Sequence, residues 1–437
     1  MSNEKEQTTH PLTPPRTPQP TPDQPPDPTT PPDPVAADQR ITSLDVIRGV
    51  ALLGIFPMNI TAFAMPGLEY MLPAYEGEPS KLETAVWMFN RITVENKMMS
   101  LFSILFGAGI VLFADRARAK GHSPAALHYR RMAWLLAIGL AHAYLLFFGD
   151  ILFPYAITGM VAYLFHRFRP AVLIPVGAAF CLLNVSISVL FGLFTTMASR
   201  ADLRLTPDLI AADVAEVTRA TGDGLLARIA HFAPEALYAQ LMYPFIFAAQ
   251  LLGLMLIGMG LFKLGVLTAA LPTRRLLTVA ALAIPPAAIL TALAILTTSL
   301  DQPRMTDLFF SMLALNTTAA LFAAVAYAAL IAAAVRSRLF PTVQRLLAGV
   351  GRLAFTNYIA QSVIAGLIFW TPGFHLFGEL NRLELWLVVL LVWAAQITAS
   401  NLYLKRYSIG PLEWLWRCLT YARLLPLAKA HTSPNAA

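Results

Sequence analysis

The sequence predicts an all-α polytopic membrane protein with about ten transmembrane helices and with both termini in the cytoplasm. Its 437 residues are 57% hydrophobic and only 13% charged, whereas soluble domains carry about 25% charged residues. Apolar windows long enough to cross about 30 Å of hydrocarbon recur along the chain. Basic residues concentrate in alternate connections between these windows, which is typical of a polytopic helical protein.

Ten apolar windows define the predicted transmembrane helices. Two of them, 132–148 and 151–165, are joined only by Gly149 and Asp150, which predicts a tight helical hairpin. The windows are 44–64, 98–114, 132–148, 151–165, 171–197, 244–262, 276–298, 309–335, 353–370 and 383–404.

The distribution of charge predicts the orientation of these helices. With the N-terminus in the cytoplasm, the cytoplasmic connections hold 19 Lys and Arg residues against two acidic residues. The external connections hold nine Lys and Arg residues against 15 acidic residues. Because positive charge favours the cytoplasmic side, the net charge of +7 follows from topology. The lipid bilayer is therefore the expected partner, and no nucleic-acid partner is needed.

The termini and the long loops have distinct compositions. Residues 1–39 contain 12 prolines and few apolar side chains, which predicts a disordered cytoplasmic tail, followed by a transmembrane domain at 40–425 and a second tail at 426–437. External loops at 65–97 and 199–243 are long, and the second has the pattern of amphipathic helices. After Pro411, which suits a first helical turn, Glu413 and Arg417 are spaced to form an ion pair on an interfacial helix.

The first span begins with charged residues that share one helical face. Asp45 and Arg48 are three residues apart, and Asn59 follows Arg48 by eleven residues, about three full turns. Charges inside a membrane helix are costly and persist where they pair, face protein or serve a function. The face therefore either binds the first helix to its neighbours or lines a cavity in which Arg48 attracts an anion.

A histidine and an aspartate mark the predicted hairpin. His142 lies within the third span, and its imidazole can act as an acid or a base because it titrates near physiological pH. Asp150 follows about two turns later, where it would orient the imidazole or bind a substrate hydroxyl. The alternative is structural, with an interhelical hydrogen bond for His142 and a hairpin cap for Asp150.

A dense polar patch occupies the ninth span. Asn357 and Gln361 are four residues apart, as are Tyr358 and Ser362, so two adjacent stripes form one polar side. This side is either a tight helix contact or the wall of a cavity. Lys97, at the outer mouth of the second span, either extends its ammonium group to the interface or binds substrate.

The sequence contains no motif for a metal or a nucleotide in a suitable context, whether P-loop, HExxH, GxSxG or dinucleotide-binding signature. Its two cysteines, Cys181 and Cys418, lack the spacing of metal ligands. We therefore predict neither a metal site nor a bound cofactor.

Five stretches together carry a family resemblance. The chain resembles the YeiB-like bacterial inner-membrane family, a domain of unknown function, over residues 40–425. This resemblance implies a multi-pass protein of the bacterial inner (plasma) membrane. The stretches are Arg40 to Gly49 with Asn59; Lys97 with Leu101 to Gly109; His142 with Gly149 to Ala156; Gly351 and Arg352 with Asn357 to Ser362; and Gly410 to Arg417.

That family is similar in turn to a wider group of transmembrane acyltransferases, which includes heparan-α-glucosaminide N-acetyltransferase and bacterial enzymes that modify surface sugars. The shared element is the opening segment, matched here by Asp45, Arg48 and Gly49 with Asn59 after them. The resemblance implies transfer of an acyl group from cytoplasmic acetyl-CoA, or another acyl-CoA co-substrate, to a small-molecule or glycan acceptor at the outer face. The heparan enzyme has a functional histidine soon after its first span, whereas residues 65–97 contain none.

The leading hypothesis is therefore a membrane acyltransferase in which basic residues attract the phosphates of the donor. His142 would take the proton of the acceptor hydroxyl, and Asp150 would position His142 or the acceptor. The side-chain amides of Asn59 and Gln361 would stabilise charge on the acyl carbonyl. The residues assigned to donor and substrate binding are Arg40, Asp45, Arg48, Asn59, Lys97, Arg352, Asn357, Tyr358 and Gln361.

Two alternatives remain open at the level of sequence. The same polar faces fit the translocation path of a transporter or flippase for a small anion or a lipid-linked sugar, although no inverted repeat is evident. A scaffold or sensor that uses the proline-rich tail to bind a partner is the third hypothesis. The sequence indicates neither the acyl group, the acceptor nor the oligomeric state.

Overall fold

The computed structural model describes residues 40–65, 80–198, 207–298 and 310–428, and these residues form a bundle of α-helices. The tail predicted at 1–39 lies outside the described residues, as does the second tail from residue 429 onward. The helices, numbered in chain order, are α1 Thr42–Ala64, α2 Lys81–Thr93, α3 Lys97–Ala119, α4 Pro124–Leu145, α5 Leu152–Ala162, α6 Pro170–Ala198, α7 Pro207–Gly222, α8 Leu225–Ile246, α9 Ala248–Lys263, α10 Thr273–Leu296, α11 Thr317–Arg336, α12 Pro341–Arg352, α13 Ala354–Phe369, α14 Arg382–Arg406 and α15 Pro411–Tyr421.

The described helices are those of a multi-pass membrane protein. Six are long and apolar enough to cross a membrane, and the number is eight if each of two bent pairs forms one span. One of these pairs is α12 and α13, which meet at 79°. All ten predicted windows fall on helices, but the predicted hairpin differs from the others. Its second helix, Leu152–Phe165, is short, and α4 carries Arg130 and Arg131 in its first half.

Local sequence signals set several helix ends. The side chain of Ser80 caps α2 together with Glu83, and Asn381 caps α14 together with Glu384. The predicted tight hairpin is looser than expected, because α4 already ends at Leu145 and a turn of several residues precedes α5. The second long loop, in which amphipathic helices were predicted, contains α7 and most of α8.

Glycines allow the central helices to approach closely. A side chain at Gly49 would collide with the carbonyl of Leu347 on α12, and one at Gly351 would collide with the carbonyl of Asp45 on α1. Helix α1 therefore packs backbone to backbone against α12. The same close contact joins α3 to α9 at Gly107, as the small residues of that segment predict.

The C-terminal helix α15 begins at Pro411 as predicted, but the predicted pair of Glu413 with Arg417 is wrong. The carboxylate of Glu413 instead accepts hydrogen bonds from the backbone N–H groups of Phe355, at 2.7 Å, and Thr356, at 3.2 Å. The Thr356 hydroxyl donates a third bond at 2.5 Å. The first N–H groups of a helix have no partner within it, so Glu413 caps α13 from a distant segment.

Candidate functional site

His142 and Asp150 meet in the interior of the bundle. The Nδ1 atom of His142 lies 2.7 Å from Oδ1 of Asp150, and both side chains are at most 2% exposed. The other carboxylate oxygen of Asp150 accepts the backbone N–H of Phe153 at 2.7 Å, which caps α5 and fixes the carboxylate. A carboxylate only accepts hydrogen bonds, so Nδ1 donates and Nε2 is left as an acceptor.

Ser362 completes a chain of three side chains. Its Oγ lies 2.9 Å from Nε2 of His142, and the serine is buried on α13. With Nε2 as the acceptor, the hydroxyl of Ser362 donates to the imidazole. A serine, a histidine and an aspartate from α13, α4 and the hairpin turn are thus hydrogen-bonded in series. Ser362 lies on one of the polar stripes predicted for the ninth span, and only the tertiary contact reveals its partner.

A cavity of about 490 Å³ adjoins this chain. Asn59, Asp150 and Tyr358 form part of its wall, together with residues from α3, α7, α8 and α9. The ring of Tyr358 lies 5.2 Å from the imidazole of His142, centroid to centroid, so the histidine sits directly behind the wall. Asn59, from the first span, and Asp150 therefore line the same cavity, and His142 lies behind its wall.

Three polar groups of the cavity wall lack partners within the part of the chain that the structure describes. The Nε2 atoms of Gln240 and Gln250 are each buried without a hydrogen bond. The hydroxyl of Tyr358 lies beside the backbone of Ile151 but makes no well-aligned hydrogen bond. Buried polar groups are normally paired, so these three can bind a polar group of a ligand.

Arg48, Arg40 and Arg352 lie at the opposite end of α1. Arg48 donates to Asp45 at 2.9 Å, which confirms that these two residues share a face, and it also approaches the carbonyl of Gly351 at 3.4 Å. Arg40 and Arg352 donate to the same carbonyl, that of Ser408, at 3.4 and 3.1 Å. Three guanidinium groups thus gather beside one carboxylate.

Three further arginines, which the sequence analysis did not assign to the site, join this end. The Arg131 guanidinium stacks on the rings of Trp416, at 4.2 Å, and Phe113, at 5.0 Å. Arg116 is close enough to Arg40 and Arg417 for their charges to repel. Burial lowers the pKa of Arg417 from its usual value, and the charge of Arg40 adds to this effect.

We call Arg40, Arg48, Arg116, Arg131, Arg352 and Arg417 the arginine cluster. Its members come from α1, α3, α4, α12 and α15 and from Arg40, two residues before α1. In the sequence, Arg131 stands in an Arg–Arg pair that also fits a simple topology signal, so its place in this cluster was not predicted. An excess of guanidinium groups around one aspartate favours a ligand with several phosphates.

The arginine cluster and the cavity are separate in this structure. Arg48 and Asn59 are about 16 Å apart along α1 at 1.5 Å per residue. Ala51 and Leu52, which lie between them, are completely buried, and the cavity reaches α1 only from Ile55 onward. The described residues therefore do not form one cavity that is lined by Arg48, Asn59, His142 and Gln361.

Lys97 belongs to a different buried network. Its ammonium group donates to Asn316 at 2.8 Å and to the carbonyls of Arg91, at 2.7 Å, and Glu95, at 3.3 Å. The side chain is 1% exposed and therefore does not extend to an interface. Asn316 also donates to Glu95 at 3.0 Å, so the network joins α3 to the π-helical segment Phe310–Asn316.

Asn357 and Gln361 bind α13 to α14. Asn357 donates to Ser400 at 2.9 Å, and Gln361 donates to Gln396 at 2.9 Å. Gln396 in turn donates to the carbonyl of Asn357 at 2.9 Å. The predicted polar side of the ninth span is thus divided, because one stripe packs against α14 while Tyr358 and Ser362 face His142.

The site places an imidazole that is able to act as a base behind the wall of a mainly apolar cavity. A neutral histidine whose Nδ1 is held by a carboxylate can accept a proton at Nε2. Among the described residues, no group of three or more His, Cys, Asp or Glu side chains is placed to hold a metal ion.

Comparisons with known proteins place the chain among uncharacterized bacterial proteins. Residues 261–423 match the family described as a protein of unknown function, DUF418. The Escherichia coli K12 protein YeiB, described as uncharacterized, is 32% identical over 392 residues, which cover 87% of this chain and 96% of YeiB. The uncharacterized Bacillus subtilis protein YxaH is 28% identical over 423 residues, which cover 91% of this chain and 98% of YxaH.

Proposed function

The chain belongs to the YeiB-like family of uncharacterized bacterial proteins, and we propose from the geometry of its site that it is an acyltransferase. It would transfer an acyl group from a cytoplasmic acyl-CoA to an acceptor at the outer face of the bacterial inner membrane. The observation that carries the proposal is the buried pair of His142 and Asp150 next to a cavity of about 490 Å³.

The proposal includes a topology of ten spans with both termini in the cytoplasm. It is supported by the loop charges and by the position of the arginine cluster at the N-terminal end of α1. The cavity lies toward the other end of α1, where Met65 and Val217 contribute to its wall. In this topology the arginine cluster faces the cytoplasm and the cavity lies in the outer half of the bundle.

The arginine cluster would bind the phosphates of the donor. Each guanidinium offers several N–H donors in a fixed plane, which suits phosphate oxygens. Binding would also relieve the repulsion among Arg40, Arg116 and Arg417. Because Ala51 and Leu52 separate the cluster from the cavity, this layer must open before the acyl end of the donor reaches His142.

In the transfer step, Nε2 of His142 would take the proton of the acceptor hydroxyl as its oxygen attacks the acyl carbonyl. The C–S bond of the thioester then breaks, and His142 gives the proton to the departing thiolate of CoA. The products are an acyl ester and free CoA. Asp150 holds the imidazole in the required tautomer, and Asn59 and Tyr358 supply donors for the developing oxyanion.

The direct test is label transfer by the full-length protein in lipid nanodiscs. Labelled acetyl-CoA is added with a bacterial membrane-lipid extract as acceptor, and labelled product and free CoA are measured together. We expect His142→Ala to lower the rate by about 10²–10⁴-fold, the contribution of general acid–base catalysis. His128→Ala is the matched control, because His128 is buried in the same helix, where it bonds the carbonyl of Gly159 and stacks on Tyr163, away from the cavity wall. Equal rates in the two variants would rule out the role of His142.

The layer at Ala51 and Leu52 also favours a second candidate function, a transporter in a closed state. Two polar regions separated by a packed layer are expected of a protein that opens to one side at a time. Counterflow of a substrate in proteoliposomes without any acyl donor would favour this function. Release of CoA in proportion to acylated product would exclude it as the sole activity.

A further inference from the structure

The wall of the cavity is mainly apolar. Thioether and aromatic side chains from α1, α3, the hairpin turn, α8 and the segment after α13 surround most of it. Such walls suit hydrocarbon, and flexible methionines adapt to chains of varied shape. A free sugar would place hydroxyl groups against these side chains without partners, which is unfavourable. The apolar residues include Met58, Met65, Met98, Phe148, Phe232 and Phe377.

The polar groups of the wall are a minority, and some have no partner. The Nε2 atoms of Gln240 and Gln250 and the hydroxyl of Tyr358 are buried without well-aligned hydrogen bonds within the described chain. Asp150 and Tyr358 lie near each other beside His142. Only the side-chain oxygen of Gln240, on α8, is bonded, and it accepts from Tyr144 at 3.1 Å. The cavity therefore suits a ligand with a long apolar part and one oxygen-bearing polar end.

We infer that the cavity binds the aliphatic chain of the acyl acceptor, with the acceptor hydroxyl at His142 and Asp150. The acceptor is then a lipid-like alcohol and not a free sugar, an inference that rests on the proposed function. We assign the aliphatic chain to the acceptor and not to the donor, because the cavity is already formed while the layer at Ala51 and Leu52 is closed and separates it from the arginine cluster.

A photolabelling experiment tests whether the cavity binds the aliphatic chain, and it does not require acyl transfer. Full-length protein in nanodiscs is exposed to a dodecanol analogue that carries a diazirine in its chain, and labelled peptides are mapped by mass spectrometry. We expect label on the cavity wall, at peptides containing Met58 or Phe232, with competition by dodecanol and none by glucose. Label confined to the lipid-facing helix surfaces of the wild-type protein would overturn the inference.

A pair of variants on α8 provides the matched control. Ala239 lines the cavity and Ala230 does not, and both are exposed. We expect Ala239→Phe to lower cavity labelling by about fourfold for each methylene group that the ring displaces, whereas Ala230→Phe leaves it unchanged. Equal labelling of the two variants would contradict a chain site in the cavity.

Transfer to 1-alkanols of increasing length separates this inference from the proposed function. We expect the KM for the alcohol to fall about fourfold per methylene until the cavity is filled. Partitioning of the alcohol into the bilayer affects the wild-type and Ala239→Phe proteins equally. The ratio of their KM values therefore reports only the contribution of the cavity. A ratio that does not change with alcohol length, or equal transfer to free glucose, would show that the cavity does not bind the aliphatic chain. Either result would leave the proposed transferase activity standing. Cavity labelling without transfer to any alcohol would retain the chain site and exclude the transferase.

Discussion

At the scale of single residues, the three hydrogen-bonded side chains of His142, Asp150 and Ser362 account for the proposed chemistry. Asp150 fixes the imidazole, and Ser362 occupies the nitrogen that must receive a proton. Ser362 is therefore a resting partner that has to turn away when the acceptor binds. The same arrangement of residue types activates a serine nucleophile in unrelated enzymes. An experiment must therefore distinguish Ser362 as a hydrogen-bonding partner of His142 from Ser362 as a nucleophile.

The Ser362→Ala variant is expected to retain transfer within about tenfold of the wild-type rate, because Nε2 is the acceptor and the serine forms no bond to the acyl group. The free energy of unfolding should fall by about 1–3 kcal/mol, because a buried nitrogen loses its partner. The rate is measured by label transfer and the stability by thermal unfolding. Complete loss of transfer, with labelled acetyl trapped on Ser362 in the wild type, would instead make this serine the nucleophile.

Neighbouring arginines offer a matched test of the donor site. Arg131 belongs to the arginine cluster, whereas Arg130 is exposed and lies outside it. Arg131→Gln should raise the KM for acetyl-CoA by about 10–100-fold with little change in kcat, which is the effect of losing one charged hydrogen bond made equally in both states. Arg130→Gln should change neither constant. A fall in kcat at constant KM in the Arg131 variant would contradict donor binding.

At the scale of elements, α15 is joined to the start of α13 by the carboxylate of Glu413. Burial raises the pKa of this carboxyl above its usual value, although its hydrogen bonds from Thr356 and Phe355 oppose the shift. The same helix carries Arg417 and Trp416, so the cap also positions part of the arginine cluster.

The raised pKa of Glu413 determines how its contribution to the free energy of unfolding changes with pH. The folded protein binds the proton more tightly than the unfolded chain, so this contribution is complete below the unfolded pKa of about 4.3 and is lost as the pH rises through the folded value. The Tm of the wild type minus that of Glu413→Gln should therefore decrease as the pH is raised from about 4 to 7. Glu379→Gln, at an exposed position, is the control. An increase of the difference with pH would contradict the shift.

The positions of the elements follow largely from the sequence. Apolar windows located most of the helices around the site, and Pro411 located the start of α15. Helix α7 and most of α8 lie outside these windows and were expected only as amphipathic helices of an external loop. The hairpin turn was predicted too tight, because periodicity does not reveal that α4 stops before Phe147. The pair of Glu413 with Arg417 was predicted wrongly, because a distant helix start competes for the carboxylate.

The site was predictable only in part. His142 and Asp150 were identified as residue types able to do chemistry, and Asp45 and Arg48 as a pair. The division of the ninth span could not be predicted, because it depends on the rotation of α13 against α14 and α4. The arginine cluster was likewise hidden, because its members lie on elements that are distant in sequence and meet only in the folded chain.

At the scale of the whole molecule, the two functional regions lie toward opposite ends of α1. The proposed topology predicts that the connection between α3 and α4 faces the cytoplasm and the connection between α7 and α8 faces outward. Cysteines introduced at exposed Lys120 and Asp223 test this with an impermeant maleimide on intact spheroplasts. Only Asp223→Cys should react before the membrane is opened. Reaction of Lys120→Cys alone would show that the orientation is opposite to the one proposed.

The central claim is that an acyl group passes from a donor on one side of the membrane to an acceptor on the other. The most direct measurement uses proteoliposomes of known protein orientation, with labelled acetyl-CoA supplied only on the side of the arginine cluster and dodecanol as the acceptor. The account predicts labelled ester and free CoA in equal amounts, abolished in His142→Ala and retained in His128→Ala. Ester formation that is equally fast with acetyl-CoA supplied only at the opposite side, or that persists in His142→Ala, would contradict it.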